Sequence, residues 1–224
     1  MTHIALAGNP NSGKTTLFNA LTGSHQKIAN YGGVTVEKKE GFFVSSKGKK
    51  IIILDLPGTY SLNASSPDEL IAQEVLLGLR SDVQKPKAVI VVVDADNLER
   101  NLYLTLQLKE VGIPIIMALN MMDVAQRHQK TINVDLLSKE LGIPVIPMVA
   151  RSELGLEKLK NFLEEENFES EPSKRKWILS RPLEELCSRL VQKLVEECDT
   201  SKVSADYYAR ELLKKKHSNR FQLE

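Results

Sequence analysis

Gly8 to Thr15 reads GNPNSGKT, a complete G-x-x-x-x-G-K-[ST], and it stands between the apolar run Ile4 to Ala7 and a helix-like stretch beginning TLFNAL. A glycine-rich turn between a buried strand and a helix N-terminus aims successive backbone N–H groups, together with the positive end of the helix dipole, at phosphate oxygens. In such a loop Lys14 meets the β- and γ-phosphates and Thr15 offers a hydroxyl to Mg²⁺. The stretch sets two expectations at once: a strand–loop–helix start to an α/β sheet, and a bound nucleoside phosphate.

Outward from this loop, short β-rich runs alternate with amphipathic segments: HIALA, a helix through Leu21, a pair of strands around Gly41 to Leu56, then AVIVVVD, IPIIMAL and IPVIPMV, each followed by a helix. Continuous apolar runs of this length are strands buried on both faces, so the pattern predicts a mixed, mostly parallel α/β sheet flanked by helices. GFFVSSKGKKIIILD reads as an antiparallel hairpin turning at Lys47 to Lys49, which predicts one edge strand running opposite to the rest. The charged, proline-containing stretch Glu164 to Lys176 suits a linker. It divides the chain into an expected nucleotide-binding domain, 1–165, and a small helical domain, 166–224, that includes the linker. In the latter, Pro182 opens a helix carrying Leu183, Leu186, Cys187, Leu190 and Leu194 at helical spacing, and Ser204 could cap another with Tyr208, Leu212 and Leu213.

Composition narrows the classes further. The chain has 224 residues with 30 Lys and Arg against 29 Asp and Glu, a balance that exerts no general pull toward nucleic acid. The basic clusters Lys174 to Lys176 and Lys214 to His217 read as helix ends and solvated faces. The longest apolar stretches, Ala88 to Val93 and Val111 to Leu119, fall short of the roughly 18 residues that read as a membrane span. No basic leader with a hydrophobic core precedes Ile4, so a cytoplasmic setting is expected. Cys187 and Cys198 lie on one helix face but roughly 16 Å apart along its axis, too far to pair within that helix. The four His residues sit near no acidic cluster, so Mg²⁺ is the only metal that the phosphate motif itself calls for.

The motifs that follow the loop narrow the nucleotide. Ile51 to Leu54 ends in Asp55-Leu56-Pro57-Gly58, which puts a carboxylate at a strand end, where it reaches Mg²⁺ through water, and offers the Gly58 N–H to a γ-phosphate. Between the two lies NYGGVTVE, Asn30 to Glu37, where Gly32 and Gly33 favour a mobile segment and Thr35 could bring a hydroxyl to Mg²⁺ and its N–H to the γ-phosphate. After the strand ending at Leu119 comes Asn120-Met121-Met122-Asp123. A carboxylate accepting from guanine N1–H and N2–H, with an amide near the purine's other edge, selects guanine over adenine. Met121 stands where a Lys is usual, and its apolar stem could still pack on the base. Backbone N–H groups at Ala150 to Ser152 are expected to complete the guanine pocket, with Ala150 the residue carried forward. The nucleotide-binding set is therefore Gly8, Asn9, Pro10, Asn11, Ser12, Gly13, Lys14, Thr15, Thr16, Gly33, Val34, Thr35, Asp55, Gly58, Asn120, Met121, Asp123 and Ala150. Within it, Thr15, Thr35 and Asp55 are the Mg²⁺ set, and Asn11, Lys14, Thr35 and Gly58 the catalytic set for GTP hydrolysis to GDP. This order resembles that of P-loop GTPases, which implies a fold of Ras-like topology.

Hydrolysis needs an in-line water and charge compensation along the phosphates. Thr59 follows Gly58 where a Gln often orients that water, and the first arginine in the chain is Arg80, so intrinsic turnover is expected to be slow and a local arginine finger is not expected. The side-chain oxygen of Asn11 could instead help to hold a monovalent cation against the phosphates, giving potassium-stimulated hydrolysis.

With GNPNSGKTTLFNALTG, GGVTVEKKEG, DLPGTYSL and NMMD in order, Thr2 to Glu165 resembles the N-terminal G domain of the bacterial ferrous iron transporter family, FeoB. DLPGTYSL and GVTVEKK separate it from ribosome-assembly GTPases, which usually carry DTAG and NKxD. The resemblance implies a helical domain favouring GDP retention, for which ADYYARELL at Ala205 to Leu213 is the matching segment. It implies further a C-terminal membrane-embedded region that moves Fe²⁺, and a place on the cytoplasmic face of the inner membrane. It also implies that Asn11 occupies the position linked to potassium dependence and Thr35 that of the first switch. Ala150 departs from the Ser often found in the guanine loop. The alternatives are a soluble GTPase acting on ribosome or tRNA, a nucleotide sensor with negligible turnover, and, weakest, a P-loop ATPase.

Overall fold

The computed structural model describes residues 1–166, 168, 181–198, 205–210 and 212–213. Seven strands form one sheet: β1 (Thr2–Gly8), β2 (Gln26–Asn30), β3 (Glu37–Val44), β4 (Lys50–Asp55), β5 (Ala88–Asp94), β6 (Ile115–Asn120) and β7 (Val145–Pro147). Their spatial order is β2-β3-β4-β1-β5-β6-β7. β4, β1, β5, β6 and β7 are mutually parallel neighbours, while β3 is antiparallel to both β4 and β2. The expected mixed, mostly parallel sheet is present. The strand that runs against the others is β3, one place in from the edge, and not the edge strand that the hairpin pattern predicts. Outside it lies β2, whose five residues QKIAN are all exposed and carry no alternation that marks a strand.

Up to residue 198, the α-helices among the described residues are α1 (Lys14–Thr22), α2 (Pro67–Leu76), α3 (Leu98–Val111), α4 (Met122–Arg127), α5 (Val134–Leu141), α6 (Leu156–Glu165) and α7 (Arg181–Cys198). Their ends follow from local chemistry. Ser66 accepts from the Glu69 N–H at 3.2 Å with Pro67 in the first turn of α2, and Asn133 accepts from the Leu136 N–H at 2.9 Å to start α5. Gly142, left-handed at φ 60°, ends α5.

One core unites Ile4, Leu6, Ile51, Ile53, Ile90, Val92, Ile116 and Ala118 of the sheet with Leu17, Phe18 and Leu21 of α1 and Leu159 and Leu163 of α6. The alternate residues Ala5, Ala7, Val89, Val91, Val93 and Leu119 are buried too, which is why the strand sequences show no polar face. Burial on both faces fixes the register, and the register sets the site: Leu6 lies opposite Asp55, Gly8 opposite Val92, and Asp94 opposite Asn120. The motif residues leave the sheet along a single edge, at the strand C-termini.

The chain divides into two compact units, Met1–Leu108 with Ile113–Ser170, and Lys109–Gly112 with Glu171–Glu224. In the second, Cys187 of α7 is buried with its Sγ 4.0 Å from Asp206 Oδ1, and Arg210 bonds Asp206 Oδ2 at 3.1 Å and Glu110 at 3.5 Å. Residues 205–210 are helical, with Ala205, Tyr207 and Ala209 buried. Lys174 to Lys176, Ser204 and Lys214 to His217 lie outside the described residues, as does most of the expected linker. Among the described residues no helix is long and apolar enough to cross a membrane.

Candidate functional site: a phosphate loop braced by a buried amide

The loop between β1 and α1 is held from inside. Asn11 and Gly13 take left-handed conformations, φ 66° and 86°, and no side chain caps the N-terminus of α1. Its first N–H groups therefore face the loop. Gly13 is required twice over, by its φ and by space: a Cβ there would come 2.2 Å from Asn120 Nδ2. Gly8 is equally confined, since a Cβ would meet the Val92 carbonyl at 2.6 Å.

Asn120, 3% exposed, explains this crowding. Its Nδ2 donates to the Ser12 carbonyl at 2.9 Å, and its Oδ1 accepts from the Ala150 N–H at 2.8 Å. Two backbone partners of opposite polarity fix the orientation of the amide and tie the phosphate loop to the loop after β7. The sequence alone places this amide at the purine edge; the structure adds that it braces the pocket wall. The Ala150 N–H, expected at the guanine pocket, is engaged by Asn120 Oδ1 instead. Met121, expected to pack on the base, is left-handed, φ 62°, and its Cε lies 3.6 Å from the position of a Gly13 Cβ, against the phosphate loop. Asp123 is exposed on α4, where Arg127 bonds it at 3.1 Å.

On the phosphate side, Lys14 Nζ is ion-paired with Asp55 Oδ1, both side chains being nearly inaccessible. Burial pushes the Asp55 carboxyl above its ordinary range and Lys14 pulls against that rise. Gly58 packs on Pro10, and the next N–H, of Thr59, donates to the Gly8 carbonyl at 3.1 Å, which seats the Asp55–Gly58 turn against the phosphate loop. The Thr59 side chain is buried and donates to the Ser61 carbonyl at 2.7 Å, a structural engagement that leaves no Gln-like role for it. Two arginines that look remote in sequence come near through space. Arg80 donates to the Gly32 carbonyl at 2.9 Å. Arg100 accepts, through its own carbonyl, from Asn9 Nδ2 at 3.5 Å and stacks its guanidinium 4.4 Å from the Tyr60 ring.

Gly8 to Thr15, Asp55, Gly58, Asn120, Met121 and Ala150 are thus assembled in one place, with Thr15 and Thr16 exposed at the start of α1. Gly33, Val34 and Thr35 are exposed too, on a turn closed by Tyr31 N–H to Val36 O at 3.0 Å and Val34 N–H to Tyr31 O at 3.3 Å. Among the described residues no hydrogen bond joins Thr35 to Thr15 or Asp55. A divalent ion on phosphates fits the donor set present, one buried carboxylate plus hydroxyls, because Mg²⁺ takes few protein ligands and keeps the rest as water and phosphate. Asn9 Oδ1 and Ser12 Oγ are buried in the loop with no hydrogen-bond partner, polar capacity that the fold itself leaves unmet. Tyr31, Arg80 and Asp82 are absent from the set that the motifs define, and nothing in the local sequence marks them.

Fold and site together define a P-loop G domain, a guanine-nucleotide-binding module. Residues 2–163 match the family of ferrous iron transport protein B. The chain is 52% identical over 168 residues to the Fe(2+) transporter FeoB of Salmonella typhimurium, covering 73% of this chain and 21% of that protein. It is 55% identical over 161 residues to that of Escherichia coli K12, covering 70% and 20%. The cytosolic domain of Legionella pneumophila FeoB superposes with a TM-score of 0.83 at 42% identity, over 94% of this chain and 80% of that one. A GDP-bound point mutant of NFeoB from S. thermophilus does so with 0.78 at 42%, over 96% and 79%. The chain belongs to the FeoB family, and it spans about a fifth of the length of the curated relatives it matches.

Proposed function

We propose that this chain is the GTP-binding and GTP-hydrolysing regulatory domain of a ferrous iron uptake transporter, on the cytoplasmic face of the inner membrane and continued by a membrane-embedded region. In this reading residues 1–165 are the G domain, and 166–224 a helical domain that favours GDP retention. The observation that carries the guanine reading is the Asn120 brace, which holds the phosphate loop and the Ala150 loop in one rigid wall beside Asp123. Asp123 then accepts from the guanine N1–H and N2–H, and adenine has no matching donor pair. The iron assignment follows from the family, whose curated members are Fe(2+) transporters.

The chain's residues divide the work. The N–H groups from Asn11 to Thr15 hold the phosphates, Lys14 leaves Asp55 to meet the β- and γ-oxygens, and the Gly58 N–H orients the terminal phosphate. Thr15, Thr35 and Asp55 would hold Mg²⁺, which when bound neutralises charge across the phosphate chain. Asn11, exposed at the crest of the loop, would hold potassium in the place of an arginine, so turnover is slow and potassium-stimulated.

GTP hydrolysis measured in potassium and in sodium at matched ionic strength tests the catalytic part. A potassium stimulation lost in Asn11→Ala supports it, and equal turnover removes it. Competition of GTP against ATP tests the base reading, which predicts loss of preference in Asp123→Ala. An immunoblot of membrane and soluble fractions from the native organism tests the transporter: a membrane band far larger than 25.1 kDa supports it, and a soluble band near 25.1 kDa sinks it.

A further inference from the structure

Residues 31–36 carry Thr35, and one residue of that turn, Gly32, is gripped at both its N–H and its carbonyl. The Gly32 N–H donates to Asp82 Oδ2 at 2.8 Å, and the Gly32 carbonyl accepts from Arg80 Nη2 at 2.9 Å. Arg80 is itself engaged through all three of its nitrogens: Nε to Asp82 Oδ1 at 2.7 Å, Nη2 to Asp82 Oδ2 at 3.0 Å, and Nη1 to Glu74 of α2 at 3.0 Å. Its side chain is only 12% exposed. The planar fork of a guanidinium suits this role, because it presents several donors in fixed geometry and so can hold a carboxylate and a carbonyl at once.

The neighbouring residue shows what the grip achieves. Tyr31 is 1% exposed, its ring beneath the Arg80 guanidinium at 5.4 Å, and its hydroxyl is buried with no hydrogen-bond partner. Burial foremost, and the negative charge of Asp55 after it, push the phenol's pKa up. An aromatic side chain is therefore turned inward while Thr35 stays outside. A buried hydroxyl with no partner is a standing cost, so this arrangement needs something to hold it.

We propose that Arg80 and Asp82 form a latch that holds residues 31–36 with Tyr31 inward and Thr35 outward, and that Arg80 is thereby a positioning residue that weights the domain toward the diphosphate. This rests on the reading of Thr35 as the residue that closes on the terminal phosphate. Only the triphosphate needs that closure. A latch favouring the outward state lowers apparent GTP affinity by the fraction of molecules it withholds and leaves GDP affinity unchanged.

The test is equilibrium binding of GDP and of a non-hydrolysable GTP analogue, both with Mg²⁺, to the 224-residue chain and its variants. Arg80→Ala raises the affinity ratio of analogue to GDP by roughly fivefold, with GDP affinity unchanged within about twofold. Asp82→Asn, which leaves the arginine in place, gives a smaller rise, as does Arg80→Lys, which keeps the charge and loses the fork. Adding Thr35→Ala to Arg80→Ala erases the gain. An unchanged ratio in Arg80→Ala and Asp82→Asn with GDP binding intact overturns the latch, and a gain that survives Thr35→Ala does so too. Failure of the unaltered chain to bind GDP would instead overturn the guanine-nucleotide reading. Should Arg80→Ala lose GDP binding through misfolding, Asp82→Asn decides by the same ratio.

Discussion

Two glycine-containing turns face each other functionally in this domain, NPNSG in the phosphate loop and NYGGVT at residues 30–35, and they are secured in opposite ways. In the first, Asn9 and Ser12 are 3% and 2% exposed, and the bonds that hold the turn come from backbone and from one buried amide. In the second, four consecutive residues, Gly32 to Thr35, are exposed, and side-chain ion pairs at the surface secure the turn. Gly13 and Gly33 sharpen the contrast. Both have positive φ, 86° and 78°, yet a Cβ on Gly13 collides with Asn120, whereas a Cβ on Gly33 meets nothing within 4 Å. The same residue type in the same backbone region is in one case a packing requirement and in the other a conformational allowance. A wall that must keep its shape is buried and backbone-bonded; the turn at residues 30–35 is held by groups nearer to water.

The largest expected break in this contrast is Gly13→Ala. Strain at φ 86° and displacement of the Asn120 amide should together lower GDP affinity by at least about 100-fold, ~3 kcal/mol, read by calorimetric titration. Next is Asn120→Ala, which strands the Ser12 carbonyl and the Ala150 N–H in a buried setting. It should cost ~2–4 kcal/mol in urea unfolding and lower GDP affinity by a factor on the order of ten or more. If it proves neutral, the wall is not braced as described. Gly33→Ala should be far milder, ~1 kcal/mol of stability from backbone strain alone and GDP affinity nearly intact, so equal losses at Gly13 and Gly33 would erase the distinction.

The smallest effect concerns the surface grip. Hydrogen bonds from Arg80 hold the Asp82 carboxyl down at about 2. A depressed carboxyl contributes stability above its unfolded value, near 3.8, and loses it as pH falls toward 2. The Asp82 carboxylate reaches the surface, where ion pairs are screened, so Asp82→Asn should cost only ~0.5 kcal/mol at pH 7. The cost should stay flat from pH 8 to pH 5, and an NMR titration of Asp82 should move back toward its ordinary value in Arg80→Ala.

What can be read without coordinates follows the same division. The phosphate loop is legible because its chemistry depends on local backbone and on glycines within a few residues of each other. The strands Lys50–Asp55, Ala88–Asp94 and Ile115–Asn120 are legible because burial on both faces leaves a nearly unbroken apolar run. β2 is not, since a fully exposed edge strand has no hydrophobic period to detect, and so the hairpin pattern puts the antiparallel strand at the edge that β2 occupies. The second role of Asn120 is hidden because its partners lie 108 and 30 residues away and are backbone atoms, which any sequence supplies. Arg80 is hidden for the same reason, 48 residues from the carbonyl it holds.

The strand order has a consequence for synthesis. β1 precedes every other strand along the chain but lies between β4 and β5 in the sheet, so the phosphate loop at its end has no floor until Asp94 has been made, on the order of 10 s later at ordinary elongation rates. Until then β2, β3 and β4 can pair only as a meander, with the apolar run Ile4–Ala7 still uncovered on one side. The nucleotide pocket is therefore a late product of folding during translation, and a ribosome-bound chain arrested before β5 should retain no guanine nucleotide, while one carrying β7 and α6 beyond the exit tunnel should.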